Sequence, residues 1–466
     1  MTRLVIASLA LVLVAAGFAA EDAPAPSVVV GWRTDGTGSY PRTTPPRTWA
    51  ADKNVVWKTK MPSWSNATPV IVGDKLLVCS EPAVLLCVSL ADGRILWQQE
   101  NSYQDVVLAP AQQQQREAEE KLADVILAEM RLAEMESAGL RKKLAGNPDN
   151  KAELQKQLNE LKVKTDELKL MLKDYPLAGK FRQPHKDGTG GFASPTPTTD
   201  GKNVFVLFGN GLAACYDLEG NRKWIQNVEH STAPYGHGSS PLLVGNKLLV
   251  HFADLVALDV KDGSEAWRVK LPPNHGTPIH ARIGTLDVAI HPNGLLVRVA
   301  DGVVLADKLG SSGPNSPLLH EGTVYFIRNE ARAARLPADL TAAKPKPIWK
   351  ARLTGGGYWF ASPVYHEGLI YGLNAMGILS VVEASTGNLV YEKRLAFGSG
   401  QIYPSIALAG GLVFISSDEG VTLILEPGRE YKEVARNTLE KFRSTPVFQG
   451  KRMYIRGREY VYCISE

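Results

Sequence analysis

A short pattern recurs along this 466-residue sequence and constrains its fold more than any other feature. Each copy has a polar turn with a glycine, two or three spacers and then a large aromatic residue. The copies read LADGRILW, LEGNRKW, VKDGSEAW and ASTGNLVY, and they end at Trp97, Trp224, Trp267 and Tyr391. Because glycine accepts positive φ without steric cost, each copy predicts a tight hairpin between two strands.

An upstream half repeats as well, with Ser/Thr-Pro or a variant, an apolar run, a glycine turn and a second apolar run. Its eight starts read NATPVIVGDKLLV, ASPTPTTDGKNVFVLF, SSPLLVGNKLLV, GTPIHARIGTLDVAI, NSPLLHEGTVYFI, ASPVYHEGLIYGL, YPSIALAGGLVFI and STPVFQGKRMYI. Most starts lie about 40 residues apart, a period typical of four-stranded propeller blades. The sequence therefore predicts an all-β fold, an eight-bladed β-propeller.

The last unit, residues 445–466, ends after its third strand and lacks an outer one. Near the other end of the chain, DKNVVWK places Trp57 five residues after Asp52, the same spacing as from Asp92 to Trp97. A strand donated by residues 55–60 would join the two ends of the ring and leave no unpaired edge. We therefore expect the propeller to be closed by its own N-terminal strand.

Five of the nine tryptophans share the outer-strand position of the repeat: Trp57, Trp97, Trp224, Trp267 and Trp349. Equivalent positions in different blades are spread round a circle, so these rings are expected to wedge between blades rather than converge as a cofactor box. In the fourth unit Ala306 stands where the aromatic belongs, which predicts looser packing between blades 4 and 5.

Three cysteines, Cys87, Cys215 and Cys463, also occupy one shared repeat position. Residues at equivalent places in different blades should lie farther apart than a disulfide tolerates. We expect them to be unpaired and to act as small buried apolar residues.

Between the first and second units the composition changes to Ala, Leu, Glu, Lys and Gln, which are strong helix formers. Apolar and small residues alternate there by four and three, the coiled-coil step: Ile126, Met130, Ala133, Ser137, Leu140 and Leu144, then Leu154, Leu158, Leu161, Thr165, Leu168 and Leu172. The stretch GNPDN divides the two halves. This predicts an antiparallel coiled-coil hairpin, which either satisfies its own apolar seam or serves as an arm that binds an envelope protein or a second copy.

The start of the chain has the layout of a secretory signal peptide, with a lone Arg3, an apolar run over residues 4–16 and small residues after it. The run is too short to span a membrane, and no later segment is apolar for long enough. No cysteine lies at the junction, so a lipid anchor is not expected. The predicted organisation is a signal peptide at 1–20, closing strand and blade 1 at 21–110, helical hairpin at 111–175 and blades 2–8 at 176–466.

The repeats resemble a known family. EASTGNLVY, VKDGSEAW and LADGRILW are similar to the tryptophan-docking repeat of the pyrroloquinoline-quinone (PQQ)-like propellers. The stretch GWRTDGTGSYPRTTPPRTWAADKNVVWKTKMP resembles the lead-in of exported propellers of the outer-membrane-biogenesis type, similar to the propeller subunit of the barrel-assembly machinery. The resemblance covers everything except the signal and residues near 111–175. It implies an exported propeller that binds partner proteins.

Within that superfamily, quinoprotein dehydrogenases bind PQQ with calcium, a catalytic Asp and often a vicinal disulfide. No two cysteines here are adjacent, and no calcium-ligand set can be matched, so no catalytic, cofactor-binding or metal residue is transferred. Neither a cofactor nor a metal is expected, and PQQ enters only under the alternative function.

The loops that enter the first strands should crowd one mouth of the central channel. They carry the candidate partner-binding residues Trp64, Phe192, His237, His275, Tyr358, Trp359, Tyr403 and Arg443. A net charge of +4 with no basic tract gives no indication of nucleic acid. We expect a soluble, non-catalytic scaffold of the periplasm or cell envelope that binds envelope proteins or glycans. The alternative is a PQQ-dependent oxidoreductase of the quinoprotein type, and the oligomeric state is left open.

Overall fold

The computed structural model describes residues 30–184, 188–231, 235–340 and 342–466, so the predicted signal peptide lies outside the described part of the chain. The described residues form eight β-sheets and three α-helices. Seven sheets are four-stranded and antiparallel, and the eighth adds a short parallel strand to such a set. The prediction of a mostly-β fold built from repeated four-stranded sheets is confirmed.

We number the sheets in chain order. Sheet 1 comprises Val70–Val72, Lys75–Ser80, Val84–Ser89 and Ile95–Glu100. Sheet 2 comprises Thr198–Thr199, Asn203–Leu207, Leu212–Asp217 and Arg222–Asn227. Sheet 3 comprises Leu242–Val244, Lys247–His251, Leu255–Asp259 and Glu265–Val269. Sheet 4 comprises Ile279–Ile283, Leu286–Ile290, Leu296–Arg298 and Val304–Ala306.

The second half of the chain continues the series. Sheet 5 comprises Leu318–His320, Thr323–Phe326, Glu330–Arg335 and Lys346–Arg352. Sheet 6 comprises Val364–His366, Leu369–Leu373, Ile378–Glu383 and Leu389–Arg394. Sheet 7 comprises Ala407–Ala409, Leu412–Ser416, Val421–Glu426 and Lys432–Thr438, with Ser39–Tyr40 added in parallel. Sheet 8 comprises Val447–Gln449, Arg452–Arg456 and Tyr460–Ile464, with Val55–Lys60 as its fourth strand.

The fourth strand of sheet 8 comes from the start of the chain but has the same register as the other fourth strands. Trp57 lies opposite Cys463, just as Trp224 lies opposite Cys215. In all eight sheets the pairing of the third and fourth strands shifts register beside this position. Such a shift marks a β-bulge, which bends the strand locally and increases its twist.

The core lies between the sheets. Within the second strand of sheet 1, Leu76 packs in a cluster shared with sheets 7 and 8, whereas Leu77 packs in a cluster shared with sheet 2. Successive residues of a strand face opposite sides, so a sheet covered on both faces needs apolar residues at every position. This accounts for continuous apolar runs such as KLLV. Each further pair of consecutive sheets shares a cluster in the same way.

The recurrent tryptophans connect neighbouring sheets. The indole Nε1 of Trp224 in sheet 2 donates to the carbonyl of Val260 in sheet 3 at 2.9 Å, and the ring covers Gly263. The same relation joins Trp57 to Gly93, Trp97 to Gly220, Trp267 to Gly302 and Trp349 to Gly387. At each of these glycines a Cβ would lie 2.6–2.7 Å from an indole atom. The prediction that these rings wedge between sheets is confirmed, and the turn glycine is required by the ring above it as well as by its own positive φ.

Ala306 lies opposite Leu296 beside the same bulge, and it packs in a cluster shared by sheets 4 and 5. Looser packing of these two sheets remains a prediction. All four cysteines lie in the described part of the chain, where they are buried and unpaired. Burial raises the pKa of Cys87 and Cys215 to about 12.

A closed series of hydrogen bonds links the residues that precede the first strands. The backbone N–H of each donates to the side-chain hydroxyl of its counterpart in the next sheet, at 2.9–3.1 Å. The series runs Thr68, Thr196, Ser240, Thr277, Ser316, Ser362, Ser405, Thr445 and back to Thr68. We call it the hydroxyl ring. It explains the recurrent Ser/Thr, because a buried N–H needs an acceptor and a hydroxyl of the neighbouring sheet supplies it.

Residues 30–49 contact several sheets before the chain enters the strand Val55–Lys60, and sequence reasoning missed these contacts. Val30 bonds to Thr199 of sheet 2, and Thr44 donates to Gly450 beside sheet 8. Between them Arg33 is fully buried and donates to the carbonyls of Pro363 and Ile406 at 2.8 and 2.9 Å. Burial lowers the pKa of Arg33 to about 10.

The helices lie between sheets 1 and 2 in the chain. Helix α1 runs over Pro110–Ala145, α2 over Lys151–Met171 and the short α3 over Pro176–Lys180, with 3-10 turns at Tyr103–Asp105 and Leu172–Asp174. Helices α1 and α2 contact each other, and every position of the predicted seam is buried or half-buried. None of the described helices is both long and apolar enough to cross a membrane.

The base of the hairpin is anchored to sheet 2 by polar contacts. The Arg116 guanidinium of α1 lies 4.4 Å over the ring of Phe181 and donates to the carbonyl of Tyr103. The Tyr103 hydroxyl donates to the Asn210 carbonyl at 2.6 Å, and Glu119 accepts the N–H of Leu177 at 2.7 Å. These contacts fix where the hairpin leaves the sheets.

Candidate functional site

Eight loops lead into the first strands and meet above the hydroxyl ring. We call the surface that they form the mouth. The loops comprise residues 61–69, 188–197, 235–241, 270–278, 307–317, 353–363, 395–406 and 439–446. Because the last residue but one of each loop is a ring residue, the hydrogen bonds of the ring hold the eight loops at fixed spacing.

Three consecutive loops of the mouth contribute a row of stacked flat side chains. The Tyr358 and Phe360 rings lie 5.4 Å apart between centroids, and Phe360 lies 4.9 Å from Tyr403, with 17° between the planes in both pairs. The Arg443 guanidinium continues the row, 4.0 Å from the Tyr403 centroid. We call these four residues the ladder. Its far end is open, since Tyr358 is 69% exposed.

Local backbone geometry selects which side chains join the ladder. Residues 358–360 are consecutive, and in extended backbone alternate side chains point to opposite sides. Tyr358 and Phe360 therefore share the outer side, whereas Trp359 turns inward. Sequence reasoning missed Phe360, although the alternation of three successive aromatics could have revealed it.

Polar contacts hold the cationic end of the ladder. Arg443 Nη1 donates to the carbonyl of Thr189 at 2.7 Å, and Nη2 lies 3.5 Å from a carboxylate oxygen of Asp418. The guanidinium thus links the loop before sheet 8, which contains Arg443, to the loop before sheet 2, which contains Thr189. A cation stacked on an aromatic face is attracted by the ring quadrupole, so Arg443 and Tyr403 stabilise each other's orientation.

Three of the residues predicted for the mouth, Trp359, Phe192 and His237, have buried side chains. Trp359 fills the cluster between sheets 5 and 6 and donates its Nε1 to Asn329. Phe192 meets the Glu81 carboxylate through its backbone N–H, and the His237 ring packs on Phe252 at 4.6 Å. Their packing and hydrogen bonds position the loops of the mouth, and whether they take part in binding remains a prediction.

Trp64 of the mouth forms a second aromatic–cation pair with Arg458, which lies between the second and third strands of sheet 8, with the guanidinium 5.3 Å from the ring centroid. The neighbouring Glu81 is buried and accepts the backbone N–H groups of Phe192 and Ala193, both at 2.6 Å. Sequence reasoning missed Glu81, because its partners lie more than 110 residues away in the chain. The carboxylate serves as an acceptor that fixes the loop of sheet 2.

Four histidines gather beneath the mouth at sheets 3 and 4. His291 Nε2 lies 3.1 Å from His251 Nδ1, and both rings are fully buried. Burial, and then the neighbouring histidines, hold the pKa of His237 well below its usual range, and burial lowers the pKa of His251 to about 4. Burial also lowers the pKa of the partly exposed His275. The cluster is therefore neutral at neutral pH.

A cleft of about 660 Å³ opens where the base of the hairpin meets sheet 1. Its lining includes Glu100, Gln104, Asp124, Arg182 and Asn210. Arg182 and Asp124 form an ion pair across it at 2.7 Å. Apolar side chains such as Val84 and Phe181 also line the cleft, which lies between the helical hairpin and the mouth.

Among the described residues, no three His, Cys, Asp or Glu side chains converge as a metal ion would require. Glu81 is engaged with backbone N–H groups, Asp418 with Arg443 and the N–H of Gln401, and Glu440 of the last mouth loop with the N–H groups of Glu459 and Tyr460. The surface offers flat apolar faces and a guanidinium, a composition suited to recognising side chains of another polypeptide.

The sheets, the docking tryptophans and the loop-built mouth together define a β-propeller of the PQQ-like class. The chain belongs to the family described as outer membrane protein assembly factor BamB, whose model matches residues 42–132 and 179–346, more than half of the sequence. The two matched ranges are separated by part of the helical hairpin. No curated protein sequence matches the chain.

Solved structures show the same fold at low identity. BamB from Moraxella catarrhalis aligns with a TM-score of 0.55 and 11% identity, over 88% of this chain and 99% of that one. A quinohemoprotein alcohol dehydrogenase from Pseudomonas putida HK5 aligns at 0.52 and 11%, over 92% and 80%. A europium-containing methanol dehydrogenase aligns at 0.51 and 10%, over 91% and 88%. Identities this low show a shared fold alone.

Proposed function

We propose that this chain is a non-catalytic scaffold of the cell envelope that binds a polypeptide partner through the mouth of an eight-bladed propeller. The observation that carries the proposal is the ladder, a preorganised aromatic–cation surface on three neighbouring loops. Rigid aromatic and arginine side chains contribute most of the binding energy at protein interfaces.

The architecture behind this proposal is a closed ring of eight blades. We take each sheet as one blade and Val55–Lys60 as the strand that closes the ring. The hydroxyl ring supports this inference because its eight links return to their starting residue. A cluster shared by sheets 7, 8 and 1 supports it as well. Closure would hold the mouth loops at fixed distances, which lowers the entropy cost of binding.

The ladder favours a polypeptide over a glycan. Its outermost member, Tyr358, follows Gly355, Gly356 and Gly357, and a Cβ added at either of the last two would meet no atom within 4 Å. The main-chain amide groups of Gly356 and Gly357 are therefore exposed on their Cβ sides, while the Gly356 carbonyl accepts from Asn374 Nδ2 at 3.4 Å. A partner could stack an aromatic or arginine side chain on Tyr358 and bond to these amides. The family is also named after an outer membrane protein assembly factor, which is a protein that acts on other proteins.

The location is part of the proposal. The predicted signal peptide and the outer-membrane-assembly description of the family both favour export to the cell envelope. We therefore propose that the protein works in the periplasm.

The proposal is tested by capture from envelope extract with three immobilised forms of the chain. These are the unaltered chain, Tyr358→Ala/Tyr403→Ala and the control Val434→Ala, which alters an exposed residue on the fourth strand of sheet 7. We expect one protein to be retained by the unaltered chain and by the control but lost from the double variant. Equal retention by all three forms would show that the ladder does not bind the partner, and retention of polysaccharide alone would favour a glycan.

The second candidate function is a quinoprotein-type oxidoreductase, because two of the similar folds belong to dehydrogenases. Titration calorimetry with PQQ and calcium separates the two candidates. We expect no heat of binding at micromolar PQQ and no turnover of an alcohol. Saturable binding together with turnover would replace the scaffold by the enzyme.

A further inference from the structure

Helix α1 carries a second apolar stripe that its partner helix does not cover. Leu122, Val125, Leu132 and Met135 are 52–71% exposed, although they are large and apolar. Their spacing places them on one face of the helix. The seam residues Ile126, Ala133 and Leu140 lie on another face and are buried. The stripe is therefore additional to the coiled-coil seam.

The residues of this face are arranged symmetrically about a point between Ala128 and Glu129. When the helix is laid antiparallel against a copy of itself about that point, Leu122 faces Met135 and Val125 faces Leu132. At the two ends of the stripe, Ala118 faces Gly139. A twofold interface requires a surface that is complementary to itself in this way.

The charges agree with the antiparallel arrangement. On the same face Lys121 would lie opposite Glu136, and the symmetry produces this pair twice. In α1, acidic residues outnumber basic ones before the symmetry point, and basic residues outnumber acidic ones after it. A parallel pairing would place like charges together. Glu129, which lies at the symmetry point, already has Lys164 of α2 3.7 Å away.

We propose that the hairpin is a self-association arm, with α1 of one chain packing antiparallel on α1 of a second copy. The stripe is exposed whereas the seam residues are buried, so it lies outside the contact between α1 and α2. The stripe from residue 118 to 139 extends over about 33 Å at 1.5 Å per residue. An interface of this size is small, so we expect a monomer–dimer equilibrium with a dissociation constant on the order of micromolar. This inference does not depend on what the mouth binds.

Sedimentation equilibrium of the purified chain tests the arm. The unaltered chain should be a concentration-dependent dimer, and Val125→Lys/Leu132→Lys should be monomeric at every concentration used. The matched control is Val163→Lys/Leu170→Lys, which alters two equally exposed apolar residues of α2 outside the stripe and should dimerise unchanged. Circular dichroism of each variant establishes that the hairpin is still helical. An unaltered chain that stays monomeric, or a dimer that the stripe variant does not weaken, overturns the proposal.

A charge exchange tests the antiparallel geometry. Lys121→Glu alone and Glu136→Lys alone should each weaken dimerisation about fivefold to thirtyfold, because each places like charges opposite each other twice. The double exchange should restore the affinity of the unaltered chain. Two single variants whose effects simply add in the double variant would contradict the pairing of these residues.

Discussion

Thr445 donates its backbone N–H to Oγ1 of Thr68 at 3.1 Å, across 377 residues of sequence. The backbone N–H of Ser240 makes the equivalent bond to Oγ1 of Thr277, at 3.0 Å, between two consecutive sheets. The start and the end of the sheet series are thus joined by the same device that joins its interior.

Removing the hydroxyl that links the last sheet to the first should lower the stability of the protein as much as removing a hydroxyl between two consecutive sheets. Thr68→Val leaves the buried N–H of Thr445 without an acceptor, and Thr277→Val does the same to Ser240. Each variant should lower the free energy of unfolding in urea by about 1–3 kcal/mol. If Thr68→Val is as stable as the unaltered chain while Thr277→Val is destabilised, the hydroxyl ring is open between Thr445 and Thr68.

Two glycines with similar backbone angles should respond differently to alanine. Gly263 and Gly245 have φ of +73° and +58°, but only at Gly263 would a Cβ meet an indole atom, 2.6 Å away on Trp224. Gly245→Ala should cost about 1–2 kcal/mol through its backbone angle alone. Gly263→Ala should cost about 3–5 kcal/mol, because it also displaces a buried tryptophan. Equal costs in thermal and urea unfolding would mean that the docking contact contributes little.

Acid should destabilise the protein through the histidine cluster. Burial lowers the pKa of His251 to about 4, below the value of about 6.5 in an unfolded chain, while the charge of Asp254 partly opposes the shift. The unfolded state therefore binds a proton first as the pH falls. The free energy of unfolding should be constant above about pH 7 and should decrease between about pH 6.5 and pH 4. For each histidine that titrates in this way, the decrease is at most about 1.4 kcal/mol per pH unit.

The variant that tests this pH dependence is His251→Gln, which removes the titrating ring. Its unfolding free energy, measured by urea denaturation across the same range, should fall less steeply with decreasing pH. Val434→Ala, which alters an exposed residue without a titrating group on the fourth strand of sheet 7, is the control and should keep the original slope. Identical slopes for all three proteins would place the acid sensitivity elsewhere.

The fold was more accessible from the sequence than the site, for a physical reason. Trp224 and Gly263 each leave a local signature that repeats in several units, because every sheet has to pack on the next in the same way. The mouth has no such repetition. Whether Trp359 or Phe360 faces outward depends on the backbone of one loop, and the partners of Glu81 and Arg33 lie in distant parts of the chain.

The helical hairpin also combines features that the sequence predicts with features that only the structure reveals. Its helices and seam could be predicted because coiled-coil spacing is a local property. The self-complementary stripe escaped notice because it emerges only once the seam residues are known to be buried and Leu132 and Met135 are seen to be exposed.

Photo-crosslinking in living cells tests the binding role of the mouth most directly. A photoreactive phenylalanine analogue replaces Tyr358 at the open end of the ladder in one strain and the exposed Val434 in another. The scaffold function predicts one discrete protein adduct at position 358, none at position 434, and loss of the adduct when Arg443→Ala removes the other end of the ladder. Absence of a protein adduct at 358, or the same adduct at both positions, would contradict it.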